Sequence, residues 1–262
     1  MLHAPRCGMC GLWERPATAP SERGALRWQR SVADTLCSGL ALGDGILYCV
    51  DGAGKLHARQ TRDGLPAWPI PADLGPWRVH ERVAVAHGLV LIGPTDLSAL
   101  APADKAVLAF DAETGAERWR QLLAVRQISD PLANGDRVFV STSDGFAAAL
   151  ALDTGKLLWK RPIDGVFLAA PALAGNVVVF GGDRGVVSAL DITDGQSAWS
   201  FRPVENSEFG QQLPYSPAVM GDTVYITSWN RRCYALDAAS GEVRWVSAAT
   251  EKRPPLTSPL VT

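Results

Sequence analysis

The chain has 262 residues, 47% of them apolar, with 25 basic and 27 acidic side chains and a net charge of −2. That length and apolar content allow a sizeable core in one domain, and the even charge balance excludes the positive field that nucleic-acid binding requires. The longest apolar stretch, residues 166–182, is broken by Pro171, Gly175 and Asn176, so it reads as two short strands and a turn and not as a membrane span.

The N-terminal residues carry no apolar h-region ahead of a cleavage site. As written, the chain is expected in the cytoplasm, or in the periplasm if it is a piece of a secreted protein. Residues 1–23 are read as a flexible tail and residues 24–262 as the folded unit. Within the tail, Cys7-Gly8-Met9-Cys10 resembles one zinc knuckle. It supplies two of the four ligands that tetrahedral zinc needs, and no second CxxC exists in the chain. Cys49 and Cys233 fall in expected strands as buried free thiols, and the odd total of five cysteines argues against a disulfide framework.

From residue 24 onward a repeat dominates. Six tryptophans each follow a glycine by four residues: Gly24/Trp28, Gly64/Trp68, Gly115/Trp119, Gly155/Trp159, Gly195/Trp199 and Gly241/Trp245. The tryptophans lie 40, 51, 40, 40 and 46 residues apart, the size of a four-stranded propeller blade. Each unit reads as four short strands. The first begins at a proline (Pro131, Pro171, Pro217), and a tight Gly/Asn/Asp turn follows it (Asn134-Gly135-Asp136, Gly175-Asn176, Gly221-Asp222). The second strand is an apolar run, as expected of a strand covered on both faces. The third ends in Ala-x-Asp-x-x-Thr-Gly-x-x-x-Trp, complete at Ala109, Asp111, Thr114, Gly115 and Trp119. There the Asp and Thr side chains can bond turn amides, Gly allows positive φ, and the ring has room over small residues. These repeated residues are packing and turn chemistry, and each tryptophan is expected to be buried against an adjacent blade.

This motif resembles the tryptophan-docking repeat of the quinoprotein alcohol dehydrogenase-like, or PQQ-like, β-propellers, over residues 24–262. The resemblance implies an all-β propeller of four-stranded antiparallel blades, five of them complete. Partial strands remain at residues 26–30 and 258–262, so the chain is expected to be an incomplete propeller from a longer protein, to which an effector domain could be attached. Within the family, the non-catalytic branch that includes BamB lacks the dehydrogenase site. A PQQ enzyme is the alternative, and the residues argue against it. Vicinal cysteines are absent, and the positions ahead of the inner strands are Ser38, Val83, Asp130, Ala170 and Ser216. One acid is too few for calcium. No GxSxG, HExxH or P-loop pattern occurs, so the chain is read as a non-enzyme without a cofactor.

Departures from the repeat mark a candidate surface. Extra residues fall at 69–77, 94–105 and 204–212, all on the side of the blades opposite the Asp-x-x-Thr-Gly turns, where rigid scaffolds build binding loops. Two tryptophans outside the repeat, Trp77 and Trp229, stand on the same side with Arg78, His80, Arg231 and Arg232. Aromatic rings beside guanidinium forks suit an acidic peptide or carboxylate. The expected function is therefore a protein-binding scaffold acting through this face.

Overall fold

The computed structural model describes residues 26–32, 35, 36, 38–75, 79, 83–94, 104–165, 169–182, 185–203, 216–228 and 230–247. Those residues form five four-stranded antiparallel sheets in simple up-and-down order and contain no α-helix. Blade one comprises β1 (Ala41–Gly43), β2 (Ile46–Val50), β3 (Lys55–Gln60) and β4 (Ala72–Asp73). Blade two comprises β5 (Ala84–Ala86), β6 (Leu89–Ile92), β7 (Lys105–Asp111) and β8 (Glu117–Val125). Blade three holds β9 (Leu132–Asn134), β10 (Arg137–Thr142), β11 (Phe146–Ala151) and β12 (Leu157–Pro162). Blade four holds β13 (Ala172–Ala174), β14 (Val177–Gly181), β15 (Val187–Asp191) and β16 (Ser197–Phe201). Blade five holds β17 (Ala218–Met220), β18 (Thr223–Ser228), β19 (Arg232–Asp237) and β20 (Val243–Val246).

The sequence pattern follows from where each strand lies. The mid-blade strands β7, β10 and β14 are buried almost throughout, because neighbouring blades cover both faces, and this is why they are apolar without alternation. The outer strands β12 and β16 bury only their tryptophan. The core consists of clefts between consecutive blades. Tyr48, Val50 and Leu56 pack on Val90, Ile92 and Leu108, and Val107 and Ala109 pack on Val138 and Val140. Phe139 and Ala147 meet Val178 and Phe180, and Val179 and Val187 meet Val224 and Tyr234.

Each Gly-x-x-x-Trp turn contributes to the joint between two blades. Asp111 Oδ1 accepts hydrogen bonds from the Glu113 and Thr114 amides and from the Thr114 hydroxyl, at 3.1, 2.8 and 2.9 Å. These bonds hold the Asp111 carboxyl below the usual carboxylate range, the Thr114 amide being the largest cause. Between the third and fourth strands of blades two to five the register slips by one residue, always beside the repeat alanine: at Ala109, Ala149, Ala189 and Ala235. The bulge leaves Arg118, Leu158, Ala198 and Arg244 without a cross-strand partner and aims the next residue, the tryptophan, at the following blade.

Several expectations change. Residues 26–30 form no strand, but Trp28 keeps its repeat role, donating to the Thr61 carbonyl at 2.7 Å. Lys105, expected in an inserted loop, opens β7 and is 1% exposed. The extra residues at 69–77 interrupt the fourth strand itself: an isolated bridge joins Arg59 to Pro66, and pairing resumes at Ala72–Asp73. Pro69 and Pro71 lack the N–H that continuous pairing needs. The segments expected at 1–23, 204–212 and 258–262 lie outside the described residues.

Candidate binding face

In an up-down-up-down blade, the second-to-third turn and the crossover to the next blade share one side. Among the described residues, that side holds the turns 51–54 and 143–145, the turn residues 182, 185, 186, 228, 230 and 231, and the crossover residues 74, 75, 79, 83, 126–131, 163–165, 169–171, 202, 203, 216 and 217. The Asp-x-x-Thr-Gly turns occupy the other.

The side is built on short polar ties. Ser38 Oγ accepts the Val50 amide at 2.8 Å in blade one, and Ser129 Oγ accepts the Ser141 amide at 2.9 Å in blade three. Each tie locks the segment entering a blade to that blade's second strand. Gly93 lets the end of β6 approach this segment, because a Cβ there would come within 2.1 Å of the Ser129 carbonyl oxygen. Between blades three and four a depression of about 340 Å³ opens. It is lined by Ile163, Val186 and Ser188 and by an Arg202–Asp164 pair at 2.8 Å.

Blade one carries a buried charged contact here. His57 Nε2 and Asp51 Oδ2 are 2.7 Å apart, with side chains 6% and 1% exposed. Asp51 Oδ1 also accepts the Ala53 and Lys55 amides, each at 3.0 Å. Burial raises the Asp51 pKa, but the bond to His57 and those to the amides outweigh it and leave the carboxyl below its usual range. This pair was not legible as a motif, since six residues separate its members and a hairpin closes the gap.

Of the sequence-selected residues, Trp77, Arg78, His80 and Trp229, together with Cys7 and Cys10, lie outside the described residues. Arg231 and Arg232 are described and half-buried in the hairpin joining β18 to β19. Arg232 Nη1 donates to the Ser247 carbonyl at 3.0 Å, and its amide donates to Asn230 Oδ1 at 3.2 Å. Arg231 closes the turn through its amide to the Ser228 carbonyl at 3.0 Å.

Arg231 has φ +69°. The same turn bond is made in blades one, three and four by Gly54, Gly145 and Gly185, at φ 78°, 82° and 74°. Blade five thus places a long cationic side chain in the left-handed region where its sister turns use glycine. That conformation costs an L-residue roughly 1–2 kcal/mol, and strain of this kind collects at functional positions. Superposing the repeats in sequence would have revealed the missing glycine.

Among the described residues, no three His, Cys, Asp or Glu side chains gather as a metal site. Asp130 is buried behind the Ser129 tie. Burial raises the Cys49 and Cys233 thiols above their ordinary range, in keeping with strand thiols that are not activated.

Comparison with known proteins fixes the family. The profile described as outer membrane protein assembly factor BamB matches residues 103–260. The chain belongs to the BamB family of PQQ-like β-propellers. It is 30% identical over 213 residues to outer membrane protein assembly factor BamB of Yersinia pestis, an alignment spanning 76% of this chain and 53% of that protein. It is 28% identical over 217 residues to the protein of the same description from Escherichia coli strain K12, spanning 78% of this chain and 55% of that one. The chain therefore spans about half the length of the curated relatives it matches.

Solved structures agree on the fold. The crystal structure of BamB from Moraxella catarrhalis superposes with a TM-score of 0.68 at 20% identity, covering 86% of this chain and 65% of that one. Quinohemoprotein alcohol dehydrogenase from Comamonas testosteroni superposes with a TM-score of 0.64 at 17% identity, covering 82% and 43%. Within the BamB family, the sheet architecture expected from the tryptophan repeat is the one observed.

Proposed function

We propose that this chain is a non-catalytic scaffold that holds a protein partner on the loop side of its blades, as part of outer membrane protein assembly in the cell envelope. The relatives' shared description supports the setting, and it favours the periplasmic reading over the cytoplasmic one. The observation that carries the binding face is Arg231, held at positive φ where three sister turns use glycine. Its neighbours Trp229 and Arg232, and Trp77, Arg78 and His80 from the crossover after blade one, would complete an anchor for an acidic segment.

Replacing Trp229 and Arg231 with alanine should abolish capture of an envelope partner while leaving the melting curve nearly unchanged. Glu113→Ala, on the opposite turns, should leave capture intact. Loss of capture with Glu113→Ala but not with the double variant would place binding on the other side. The quinoprotein alternative rests on the fold alone. Titration with PQQ and Ca²⁺ should give no bound chromophore, and stoichiometric quinone uptake would overturn the scaffold reading.

A further inference from the structure

Blade four departs from its sisters at one station of the joint. One residue past the repeat tryptophan, the fourth strand faces the third in a fixed pair: Leu108 with Arg120, Ala148 with Lys160 and Tyr234 with Val246 in blades two, three and five. Each of these pairs holds at least one long or large side chain. Arg120 is held by Glu117 at 2.7 Å, Lys160 Nζ lies 4.3 Å from the centre of the Phe146 ring, and Tyr234 stands 5.4 Å from Phe201 of the preceding blade, centroid to centroid. In blade four the pair is Ser188 with Ser200. The next pair repeats the change, since Leu190 faces Ser197 where the other three blades have Glu117, Leu157 and Val243.

Three serines thus replace bulk with hydroxyls on the side of blade four that meets blade three. Leu190 packs with Phe139 and Trp159 there, and Ser188, two residues earlier in β15, shares its face. The depression of about 340 Å³ is the space so left. Ser188 lines it while only 6% exposed, and its hydroxyl makes no hydrogen bond among the described residues. A buried hydroxyl without a partner costs stability, so the hollow favours a ligand that supplies one.

We propose that this hollow binds a neutral saccharide of one or two rings. Ser188, Ser197 and Ser200 each offer a donor and acceptors at once, the set that matches sugar hydroxyls. Ile163 and Val186 supply apolar wall for the C–H edges of a ring. Charge points the same way. Arg202 and Asp164 lie 2.8 Å apart and neutralise each other, so neither an anion nor a cation gains a net attraction, while both groups can bond sugar hydroxyls. A wholly apolar ligand would bury Ser188 without a partner. The volume lies at the small end of the range for small-molecule sites, about 300–1,000 Å³, which limits the ligand to a short sugar. The site goes beyond the scaffold reading and does not rest on it.

Backbone amide shifts of the full chain, followed during titration with maltose and with chitobiose, test this. At least one of the two sugars should give saturable shifts at Ile163, Val186, Ser188 and Ser200, with an apparent Kd of about 1 mM or tighter. Ser188→Ala should weaken binding by roughly tenfold. Ser200→Lys, which restores the filling of blade three, should abolish it. Blade three carries alanine and lysine at these two positions, so both variants should melt close to the wild type. No saturable shift with either sugar up to about 10 mM would overturn the proposal, as would binding untouched by Ser200→Lys. Equal shifts with inorganic phosphate alone would mark an anion site and would overturn it too. Partner capture does not enter the readout, so the saccharide site stands or falls separately from the binding face.

Discussion

Trp159 lies with its indole against Gly195 of the next blade, and its N–H donates to the Ile192 carbonyl at 3.2 Å. A Cβ added at Gly195 would come within 2.6 Å of the ring. The glycine is needed twice over, because its φ is +72° as well. One contact thus joins turn geometry, core packing and the spacing of blades.

Trp159→Ala should destabilise the chain by about 3–5 kcal/mol, the range for losing a buried aromatic side chain. Trp245→Ala, at a ring that is 47% exposed, should cost about 1 kcal/mol or less. Denaturant midpoints compare the two. Equal losses would mean that burial against the next blade is not what makes the repeat tryptophans matter.

Arg231→Gly should stabilise the fold by about 1 kcal/mol, because glycine reaches φ +69° without strain, less the entropy that a new glycine loses on folding. The same change should weaken partner capture. A variant that is destabilised would show that the Arg231 side chain contributes packing rather than function.

Acid should loosen blade five in a defined window. Arg244, the bulge residue, donates to Asp222 at 2.6 and 2.7 Å and to Asp237 at 2.6 Å. These bonds, with the Ser240 amide as a further cause at Asp237, lower both carboxyls from 3.8 to about 2. A depressed folded pKa adds stability above the unfolded value and loses it as pH falls through the folded one. The contribution of this clamp should therefore be present above about pH 4 and disappear toward pH 2. It should be modest and salt-sensitive, since the groups are solvent-exposed. Melting curves of wild type and Arg244→Ala should converge across that window, and parallel curves would exclude the clamp as a source of acid sensitivity.

Much of this architecture was legible in the chain. A Gly-x-x-x-Trp spacing of about 40 residues, proline-led first strands and apolar second strands are each local consequences of a four-stranded blade, so the repeat shows them without knowledge of any contact. The insertions, with Trp77 and Trp229, pointed to one side of the blades as the expected binding side, because the order of strands alone decides which loops share it.

What the sequence determined by itself was the blade: its strands, its Asp-x-x-Thr-Gly turn and the residues available for a joint. Which glycine each tryptophan meets, how a bulge at Ala109 or Ala235 turns the ring outward, and that His57 finds Asp51 were decided only in the tertiary structure. The left-handed turn at Arg231 and the half-exposed ring at Trp245 belong with them. The physical reason is range: turn chemistry and strand burial act within a few residues, whereas a joint between blades depends on how neighbouring sheets are set against each other. Identical Gly-x-x-x-Trp units therefore give a buried ring at Trp159, which packs on Gly195 of the next blade, and a half-exposed one at Trp245, which packs on no glycine turn among the described residues.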